Sequence, residues 1–431
     1  MTDYQIFCDP ERIAEHIDQL AVLTETDRPY TRLVFSPEYD QARNWLQSKF
    51  TALGLACNID TGGNLIGRRE ATNRSSSDQA SQIVILGSHI DTVPQGGRFD
   101  GIAGVVAALE VVHYLNDQSI ELPFDLEIVD FLGEELNEWG LSCLGSRHMA
   151  GLITREMLDR VDSNGRVLGD EIARIGGTNR PSETGRDDAG LIQACLELHI
   201  EQAKTLEAAH VDIGVVTAIP GIYRYSIKIV GAAGHSGTTK MAERQDALVA
   251  AADIIKAVSA LANDIAMRNN QHFVATIGRI SVLPNAAAVV PGAVEMTLDL
   301  RAASHSAQVD FLTGLNDQIE ITKQMRHCAI ALTQLAGAKL AKMAPELRDI
   351  LTKTTKELGL SVMDITSGAG HDTAHLSRFA PAAMIFIPCL DGLSHCPQEY
   401  ASSEAIAKGA AVLTQTILAL ADGSVAQRNN A

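Results

Sequence analysis

Imidazole and carboxylate side chains lie close together in one short stretch of the sequence, residues 82–104 (QIVILGSHIDTVPQGGRFDGIAG). The apolar run at its start predicts a strand buried on both faces of a parallel sheet, and the small residues at 102–115 predict a helix. Between these two elements lie His89, Asp91 and Asp100. Because open α/β sheets bind ligands beyond the carboxyl ends of their strands, the three residues together predict a metal site. Any one of them alone would fit an ordinary turn.

Three further predicted strands carry side chains of the same kind at or beyond their carboxyl ends. A buried strand over 125–132 leads into a pair of glutamates, and an alternating strand over 194–200 ends near a histidine. A third strand, over 383–387, is followed by a loop that contains another histidine. The residues at these ends are Glu134, Glu135, His199 and His395.

Together these groups predict a dinuclear metal site. Two divalent ions that share one carboxylate each need a bridging oxygen, an imidazole and a further donor. The set would divide into a bridge, Asp100, a first pair, His89 and His199, and a second pair, Glu135 and His395. Glu134 is then left to act as general base for a water molecule. The alternative is that the two adjacent glutamates are solvated charges at a strand end.

The composition limits the class of protein. The chain has 431 residues, of which 46% are apolar, and a formal charge of −18; this is typical of a soluble protein with more than one domain. An acidic chain without a basic cluster argues against nucleic acid or an anionic membrane as partner. No apolar run approaches the ~20 residues that span a bilayer. The seven cysteines have no C-x-x-C spacing and the N-terminus has no apolar export signal, which favours the cytoplasm.

The order of the predicted elements indicates an α/β fold with an inserted domain. Residues 1–214 and 330–431 predict one catalytic domain with a mixed, mostly parallel sheet flanked by helices. Residues 215–329 predict a smaller α+β domain with an antiparallel sheet. Helices are expected over 10–20, 102–115, 246–267, 306–318, 345–358 and 402–420, with another that begins after Ser36 and ends before Gly54, and a solvated loop over 71–81.

Seven short motifs between about residues 32 and 420 carry a resemblance to a known family. They are His89-x-Asp91, Asp100-Gly101, Glu134-Glu135, HIEQ (199–202), AGHSGTT (233–239), SGAGHD (367–372) and SHCPQE (394–399). The chain resembles the aminoacylase/carboxypeptidase-type dinuclear metallohydrolases. Within them it is most similar to the branch of N-carbamoyl-L-amino-acid hydrolases, β-ureidopropionases, allantoate amidohydrolases and ureidoglycolate amidohydrolases, for which the first and sixth motifs in their wider context are specific.

The resemblance implies a role for each candidate residue. It implies two divalent ions, zinc first and manganese, nickel or cobalt as alternatives, held by His89, Asp100, Glu135, His199 and His395. Glu134 would be the general base for a water that bridges the ions, and Asp91 would orient the ring of His89. His235 would donate to the oxyanion from the inserted domain, which would act as a lid, and in dimeric relatives it can reach the other subunit's site. Substrate contacts would come from Gln202, Arg301, Gly370 and His371.

The implied reaction is hydrolysis of a ureido (carbamoyl) C–N bond with release of ammonia and carbon dioxide, by a homodimer formed through the inserted domain. Ala288 departs from the branch, which commonly has asparagine there. The choice among N-carbamoyl amino acids, β-ureido acids, allantoate and ureidoglycolate therefore stays open. Arg301 would bind the substrate's carboxylate with two parallel donors, or would be a surface charge on an edge strand.

Three alternative functions differ in the support that the sequence gives them. An aminoacylase- or dipeptidase-type deacylase would use the same metal residues, and assays of N-acyl against N-carbamoyl amino acids separate the two. A non-catalytic binding protein would typically lack ligands, whereas this chain has the full set. Nucleotide binding has no support, because no glycine-rich loop has the spacing of a P-loop or a dinucleotide fingerprint.

Overall fold

The structure, a computed structural model, describes residues 3–72, 81–269 and 272–423. It contains two compact units. The first comprises Met1–Thr217, Lys342–Ile365 and His371–Ala431, and the second comprises Ala218–Ala341 and Thr366–Gly370. Most of the loop predicted over 71–81 lies outside the described residues.

The strands of the described residues, in chain order, are β1 Ala56–Ile59, β2 Leu65–Arg69, β3 Ile83–Ser88, β4 Asp125–Asp130, β5 Ile192–Ile200, β6 Ile213–Val216, β7 Ala218–Ile219, β8 Gly221–Val230, β9 Gly234–His235, β10 Phe273–Leu283, β11 Val289–Val290, β12 Ala293–Ala302, β13 Ala329–Ala338, β14 Ala341–Lys342, β15 Val362–Ile365 and β16 Ala382–Ile387.

The helices of the same residues are α1 Pro10–Ala21, α2 Pro37–Ala52, α3 Ile102–Asp117, α4 Leu144–Met149, α5 Arg155–Leu158, α6 Leu168–Arg174, α7 Thr205–Ala209, α8 Ala247–Asn269, α9 His305–Arg326, α10 Pro345–Glu357, α11 Thr373–Leu376 and α12 Ser403–Ala421. Short 3₁₀ turns lie at Asp3–Ile6, Ala189–Leu191, Met241–Glu243 and Leu390–Gly392.

The first unit is built on an eight-stranded sheet with the order β1-β2-β4-β3-β5-β16-β6-β15. Strands β4, β3, β5 and β16 run parallel to one another at its centre, whereas β2 and β6 pair antiparallel with their central neighbours. Helices α1, α3 and α12 pack together, with α3 and α12 against the central strands. This mixed, mostly parallel sheet flanked by helices is the predicted fold class.

The central strands of the first unit are apolar because both of their faces are covered. Every residue of β3, β4 and β16 is buried. Helix α3 is rich in alanine and valine, and most of its side chains are buried too, so that it approaches the sheet closely. Helix α2 starts where the sequence predicts, because Ser36 accepts a hydrogen bond from the backbone N–H of Tyr39 and Pro37 occupies the first turn.

The second unit has a four-stranded antiparallel sheet with the order β10-β12-β8-β13. Alternate residues of β12 are buried, and they form an apolar core together with one face of α8 and of α9. A separate two-stranded pairing joins β9 to β11, with His235 opposite Val289. The predicted antiparallel α+β unit is therefore present.

The boundaries of the units differ from the predicted ones. The second unit begins at Ala218 instead of 215 and extends to Ala341 instead of 329, because β13 pairs with β8 as an edge strand of the antiparallel sheet. The glycine-rich segment Thr366–Gly370 also belongs to the second unit. The helix expected over 306–318 is α9, which continues to Arg326, and the strand expected over 125–132 ends at Asp130.

Helix α12 is the one helix among the described residues that is long and apolar enough to cross a membrane. Of its most apolar window, 61% is buried inside the protein. It packs against α1, α3 and α10, so its apolar surface is accounted for by the core of the first unit.

Candidate metal centre

Four neighbouring parallel strands bring the candidate ligands to one edge of the sheet. His89 directly follows β3, and His199 is the penultimate residue of β5. Glu134 and Glu135 lie in the turn after β4, and His395 lies in the loop after β16. Because the four strands are consecutive neighbours in the sheet and run parallel, their carboxyl ends open into one crevice.

The first group of candidate ligands consists of His89, Asp100 and His199, which are all buried. Nε2 of His199 lies 3.1 Å from Oδ1 of Asp100, and Nε2 of His89 lies 3.5 Å from the same oxygen. Two donor atoms that are each ~2.1 Å from a tetrahedral zinc ion are about 3.4 Å apart. The spacing of these three side chains therefore suits one ion.

The second group consists of Asp100, Glu135 and His395. Nε2 of His395 lies 3.3 Å from Oδ2 of Asp100 and 3.3 Å from Oε1 of Glu135. The side chain of His395 is 47% exposed, so this group is open to solvent on one side. Asp100 thus directs one carboxylate oxygen to each group, which is the arrangement of a bridging ligand.

Backbone carbonyl groups fix the proton positions on two of the histidines. Nδ1 of His89 lies 3.1 Å from the carbonyl oxygen of Asp91, and Nδ1 of His199 lies 2.9 Å from that of Ile200. A ring nitrogen that faces a carbonyl oxygen carries a proton, so Nε2 of each ring is the nitrogen that would bind a metal ion. The N–H of Gly101, which donates to Nε2 of His199 at 3.1 Å, agrees with this tautomer.

Asp91 contacts more than His89. Its carboxylate accepts hydrogen bonds from the backbone N–H groups of Glu134 and Glu135, both at 3.2 Å. The same carboxylate lies 3.4 Å from Nδ1 of His89. The side chain of Asp91 therefore links His89, at the end of β3, to the turn after β4. The sequence alone did not indicate the contact with that turn.

The carboxylates of the site have strongly shifted pKa values. Burial raises the pKa of Glu134 well above its usual value, and repulsion from neighbouring carboxylates adds to this. Burial also raises the pKa of Glu135, and Asp100 contributes in the same direction. Burial would raise the pKa of Asp100 as well, but three surrounding histidines lower it well below its usual value.

The histidines respond to the same carboxylates. Burial alone would lower the pKa of His89, but Asp100 and the neighbouring acids raise it well above its usual value. The carboxylates of Asp100 and Glu135, which face its ring, raise the pKa of His395 to about 11. The cluster therefore has an excess of negative charge that stabilises bound cations.

The residues present fit a divalent metal. Nε2 of His89 and Oε1 of Glu135 are buried, and neither has a hydrogen-bond partner within the described ranges. A buried nitrogen or oxygen atom without a partner destabilises the fold unless a ligand binds it. Nitrogen and carboxylate donors at this spacing are the ligands of zinc and related ions.

Glycine is required at position 101 because the backbone there passes close to the ring of His89. Its φ angle is +69°, and a Cβ atom at this position would lie 2.4 Å from Nε2 of His89. The residue after Asp100 must therefore lack a side chain, which gives the Asp-Gly pair of the sequence its physical reason.

Cys143 was not singled out by the sequence analysis, yet it lies beside Glu134. Its thiol donates to Oε1 of Glu134 at 3.6 Å, and its backbone N–H donates to the carbonyl oxygen of the same residue at 2.9 Å. Burial raises the pKa of the thiol well above its usual value, so the group stays protonated and acts as a donor. No local motif marks this residue in the sequence.

Glu399 and Ser394 were also missed as individual residues, although both lie in the SHCPQE motif. Glu399 is buried, and it accepts hydrogen bonds from the backbone N–H groups of Phe99 and Asp100, each at 2.9 Å. Ser394 donates to Oδ2 of Asp100 at 2.7 Å. The motif could have drawn attention to both, but only the fold brings them to Asp100.

Two predicted substrate contacts, Gln202 and His371, lie in the first unit. Nε2 of Gln202 donates to Oδ2 of Asp100 at 2.6 Å, and its φ angle of +58° is unusual for a residue other than glycine. The ring of His371 is buried against that of His199, with ring centroids 4.6 Å apart.

The other predicted functional residues, His235, Arg301 and Gly370, lie in the second unit. His235 is exposed, and its Nδ1 accepts a hydrogen bond from the N–H of Gly237 at 3.1 Å. Nε of Arg301 lies 3.1 Å from Oδ1 of Asp299, and its Nη1 donates to the carbonyl oxygen of Gly368 at 3.0 Å. The backbone at Gly370 passes close to Ile222, 3.1 Å from where a Cβ would stand.

Comparison with known proteins identifies the family of the chain. The model of the peptidase family M20/M25/M40 matches residues 85–419, which include all five candidate ligands and Glu134. The chain belongs to this family. The family is metal-dependent, and the predicted resemblance is confirmed.

Similar proteins cover nearly the whole chain. It is 34% identical over 412 residues to an N-carbamoyl-L-amino-acid amidohydrolase of Pseudomonas sp. (strain NS671), which covers 95% of this chain and 97% of the relative. It is 31% identical over 418 residues to an allantoate amidohydrolase of Bacillus subtilis (strain 168), with coverages of 95% and 97%. A crystal structure of an amidase of the hydantoinase/carbamoylase family from Burkholderia multivorans matches with a TM-score of 0.84 at 34% identity, covering 97% of this chain and 99% of that one.

Proposed function

We propose that this chain is a metal-dependent amidohydrolase that cleaves the ureido C–N bond of an N-carbamoyl amino acid or a related ureido acid. One observation carries the proposal: the two carboxylate oxygens of Asp100 face separate groups of donors, His89 with His199 and Glu135 with His395. This supports a bridging carboxylate between two divalent ions. Zinc is the first candidate for both, with manganese, nickel or cobalt as alternatives.

The chain's own residues supply the proton transfers. Bound ions would acidify a water molecule and polarise the ureido carbonyl group. Glu134, whose Oε2 lies 3.7 Å from Nε2 of His89, takes a proton from the attacking water and returns it to the leaving nitrogen. Asp91 keeps the backbone of Glu134 in place, and Cys143 orients its carboxylate. Hydrolysis of the ureido group then gives ammonia, carbon dioxide and the amine.

Residues of the second unit complete the proposed site. His235 donates to the developing oxyanion when that unit closes as a lid, from the same or a partner subunit. Arg301 binds the carboxylate of the substrate, and it is already oriented by Asp299 and Gly368. Gln202, Gly370 and His371 make the remaining substrate contacts.

The ureido class is favoured over N-acyl substrates by the names of two similar proteins, an N-carbamoyl-L-amino-acid amidohydrolase and an allantoate amidohydrolase. Ala288 stands where the branch commonly has asparagine. It lies beside the loop of His235, since its carbonyl oxygen accepts the N–H of Ser236 at 3.0 Å. We therefore expect the substrate's polar end to be held differently from that of the branch at large.

A substrate panel tests the proposed function. N-carbamoyl-L-amino acids, a β-ureido acid, allantoate and ureidoglycolate are compared with N-acetyl amino acids on metal-loaded protein, by release of ammonia or acetate. We expect turnover of at least one ureido acid to exceed that of every N-acetyl amino acid. Faster turnover of an N-acetyl amino acid would favour the deacylase function instead.

The Glu134→Gln variant is the matched control for this panel. Removing the base should lower kcat by roughly 10²–10⁴-fold, while the bound metal, measured by elemental analysis, stays the same. Wild-type turnover in this variant would contradict the role of Glu134.

Two further proposals concern the oligomeric state of the protein and its cellular location. We propose a homodimer formed through the second unit. We also propose a cytoplasmic location, since the seven cysteines have no C-x-x-C spacing, which fits a reducing compartment.

A further inference from the structure

The buried carboxylate of Glu399 joins two loops that carry candidate ligands. Its Oε1 accepts the backbone N–H groups of Phe99 and Asp100, both at 2.9 Å. Its Oε2 accepts the backbone N–H of His395 at 3.4 Å and lies 2.8 Å from Oγ of Ser394, whose single hydroxyl proton also faces Oδ2 of Asp100. One oxygen thus serves the loop of Asp100 and the other serves the loop of His395.

The surrounding backbone is shaped to admit this side chain. A Cβ atom on Gly97 would lie 1.8 Å from Oε1 of Glu399. The φ angle of Gly97 is outside the left-handed region, so its conformation does not itself require glycine. The absence of a side chain at this position therefore serves to leave room for Glu399.

The two groups of ligands depend on Glu399 to different degrees. His199 lies within β5 and His89 directly after β3, so the sheet holds both imidazoles. His395 lies on a loop well beyond the end of β16, has a left-handed φ angle of +57° and is half exposed. Because the sheet does not hold His395, hydrogen bonds must fix its loop. Among them are the contacts of Glu399 with Ser394 and with the backbone N–H of His395.

We propose that Glu399 is a positioning residue that sets the affinity of the second group, Asp100 with Glu135 and His395, for its metal ion. The proposal rests on the proposed dinuclear function. Glu399 does not face the ion. It acts through the loop of Asp100 and the loop of His395, which it holds at the separation that one ion needs. Removal of such outer hydrogen-bond partners typically costs 10–100-fold in metal affinity.

The test is a calorimetric titration of metal-stripped protein with Zn²⁺ alone. The wild type should bind two ions per chain. Glu399→Ala should bind the ion of the second group with 10–100-fold lower affinity. The other ion shares Asp100 but is also held by two imidazoles that the sheet fixes, so its affinity should fall clearly less. Glu399→Gln keeps an acceptor for Phe99 and Asp100 but loses one for His395, so its loss should be smaller than that of Glu399→Ala.

Gly97→Ala provides a second, independent variant. It leaves Glu399 chemically intact but occupies its place, so it should weaken the same ion. Glu110→Gln is the matched control, because Glu110 is an equally buried carboxylate that accepts the N–H of Asp9 at 3.1 Å and pairs with Arg12 in α1, away from the site. It should leave both affinities unchanged, even where it lowers the melting temperature.

The outcomes separate the two proposals. A wild-type protein that binds fewer than two ions contradicts the dinuclear centre itself. A wild type with two ions, together with Glu399→Ala and Gly97→Ala variants in which both affinities are unchanged or fall equally, overturns the role of Glu399 alone.

Discussion

Single residues at the site are constrained by backbone contacts as much as by their own chemistry. Gly101 shows this most directly, since its backbone N–H donates to His199 and its Cα approaches His89 too closely for any side chain. Asp91 shows it as well, because its carboxylate accepts hydrogen bonds from two backbone N–H groups. The metal site therefore depends on residues that would never touch a metal.

We predict that Gly101→Ala abolishes metal binding by the first group. The new Cβ would stand 2.4 Å from Nε2 of His89 and displace it, in addition to the cost of a left-handed alanine. Gly54→Ala is the control: Gly54 also has a left-handed φ angle, +76°, but a Cβ there has no atom within 4 Å. It should cost about 1–2 kcal/mol of stability and retain full metal content by elemental analysis. Equal metal content in the two variants would contradict this account.

Members of the candidate site could be predicted from the sequence where they lie at strand ends. His89, Glu134, Glu135 and His199 each follow or finish an apolar run, so their convergence could be expected before the fold was known. Cys143 could not, because no local motif marks it nine residues after Glu134. Glu399 could not, because its partners Phe99 and Asp100 lie on a distant loop. The contact of Glu399 with Asp100 joins positions about 300 residues apart.

At the level of elements, the sequence predicted best where burial is complete. The fully buried strands β3 and β16 and the helix α12 lie close to their predicted places. Helix α9 was predicted too short, since its last turns are polar and its apolar face is narrow. No strand was predicted over β13, and residues from 330 onward were assigned to the first unit, because an edge strand has the same local pattern whichever sheet it joins.

Helix α1 leads to a prediction about stability and pH. His16 on this helix is buried edge-on against Trp45, with ring centroids 5.5 Å apart. Burial, with Lys49 adding in the same direction, lowers the pKa of His16 from 6.5 to about 4. Between these values the unfolded chain binds a proton that the folded chain does not. Stability is therefore expected to fall by up to about 3 kcal/mol as the pH drops from 6.5 to 4.

The measurement is chemical unfolding at a series of pH values. His16→Gln should be less stable at pH 7 but lose less stability than the wild type between pH 6.5 and 4. His305→Gln changes an exposed histidine and should keep the wild-type slope. A slope for His16→Gln equal to that of wild type would show that His16 does not contribute.

At the level of the whole molecule, the proposed chemistry divides between two units. All five candidate ligands and Glu134 lie in the first, whereas His235 and Arg301 lie in the second. The α/β unit and its antiparallel insertion were predictable from the order of elements. The second passage through that insertion was not, because it is only five residues long, Thr366–Gly370.

We predict that the protein is a homodimer in solution. The second unit exposes apolar side chains on its edge strand β10, among them Ile280 at 46% and Leu283 at 62% exposure, which a second copy would cover. Sedimentation equilibrium should give twice the chain mass of 46.1 kDa, and Ile280→Lys should shift the equilibrium toward the monomer. A wild-type protein that sediments as a monomer at all concentrations would contradict the dimer.

Removal and return of metal test whether turnover by this chain depends on two bound ions. The protein is stripped with a chelator, and bound ions per chain and ammonia release from a ureido acid are measured as Zn²⁺ or Mn²⁺ is added back. We expect no turnover in stripped protein, and complete recovery of turnover when two ions per chain are bound. Full turnover in protein shown to contain no metal would contradict it.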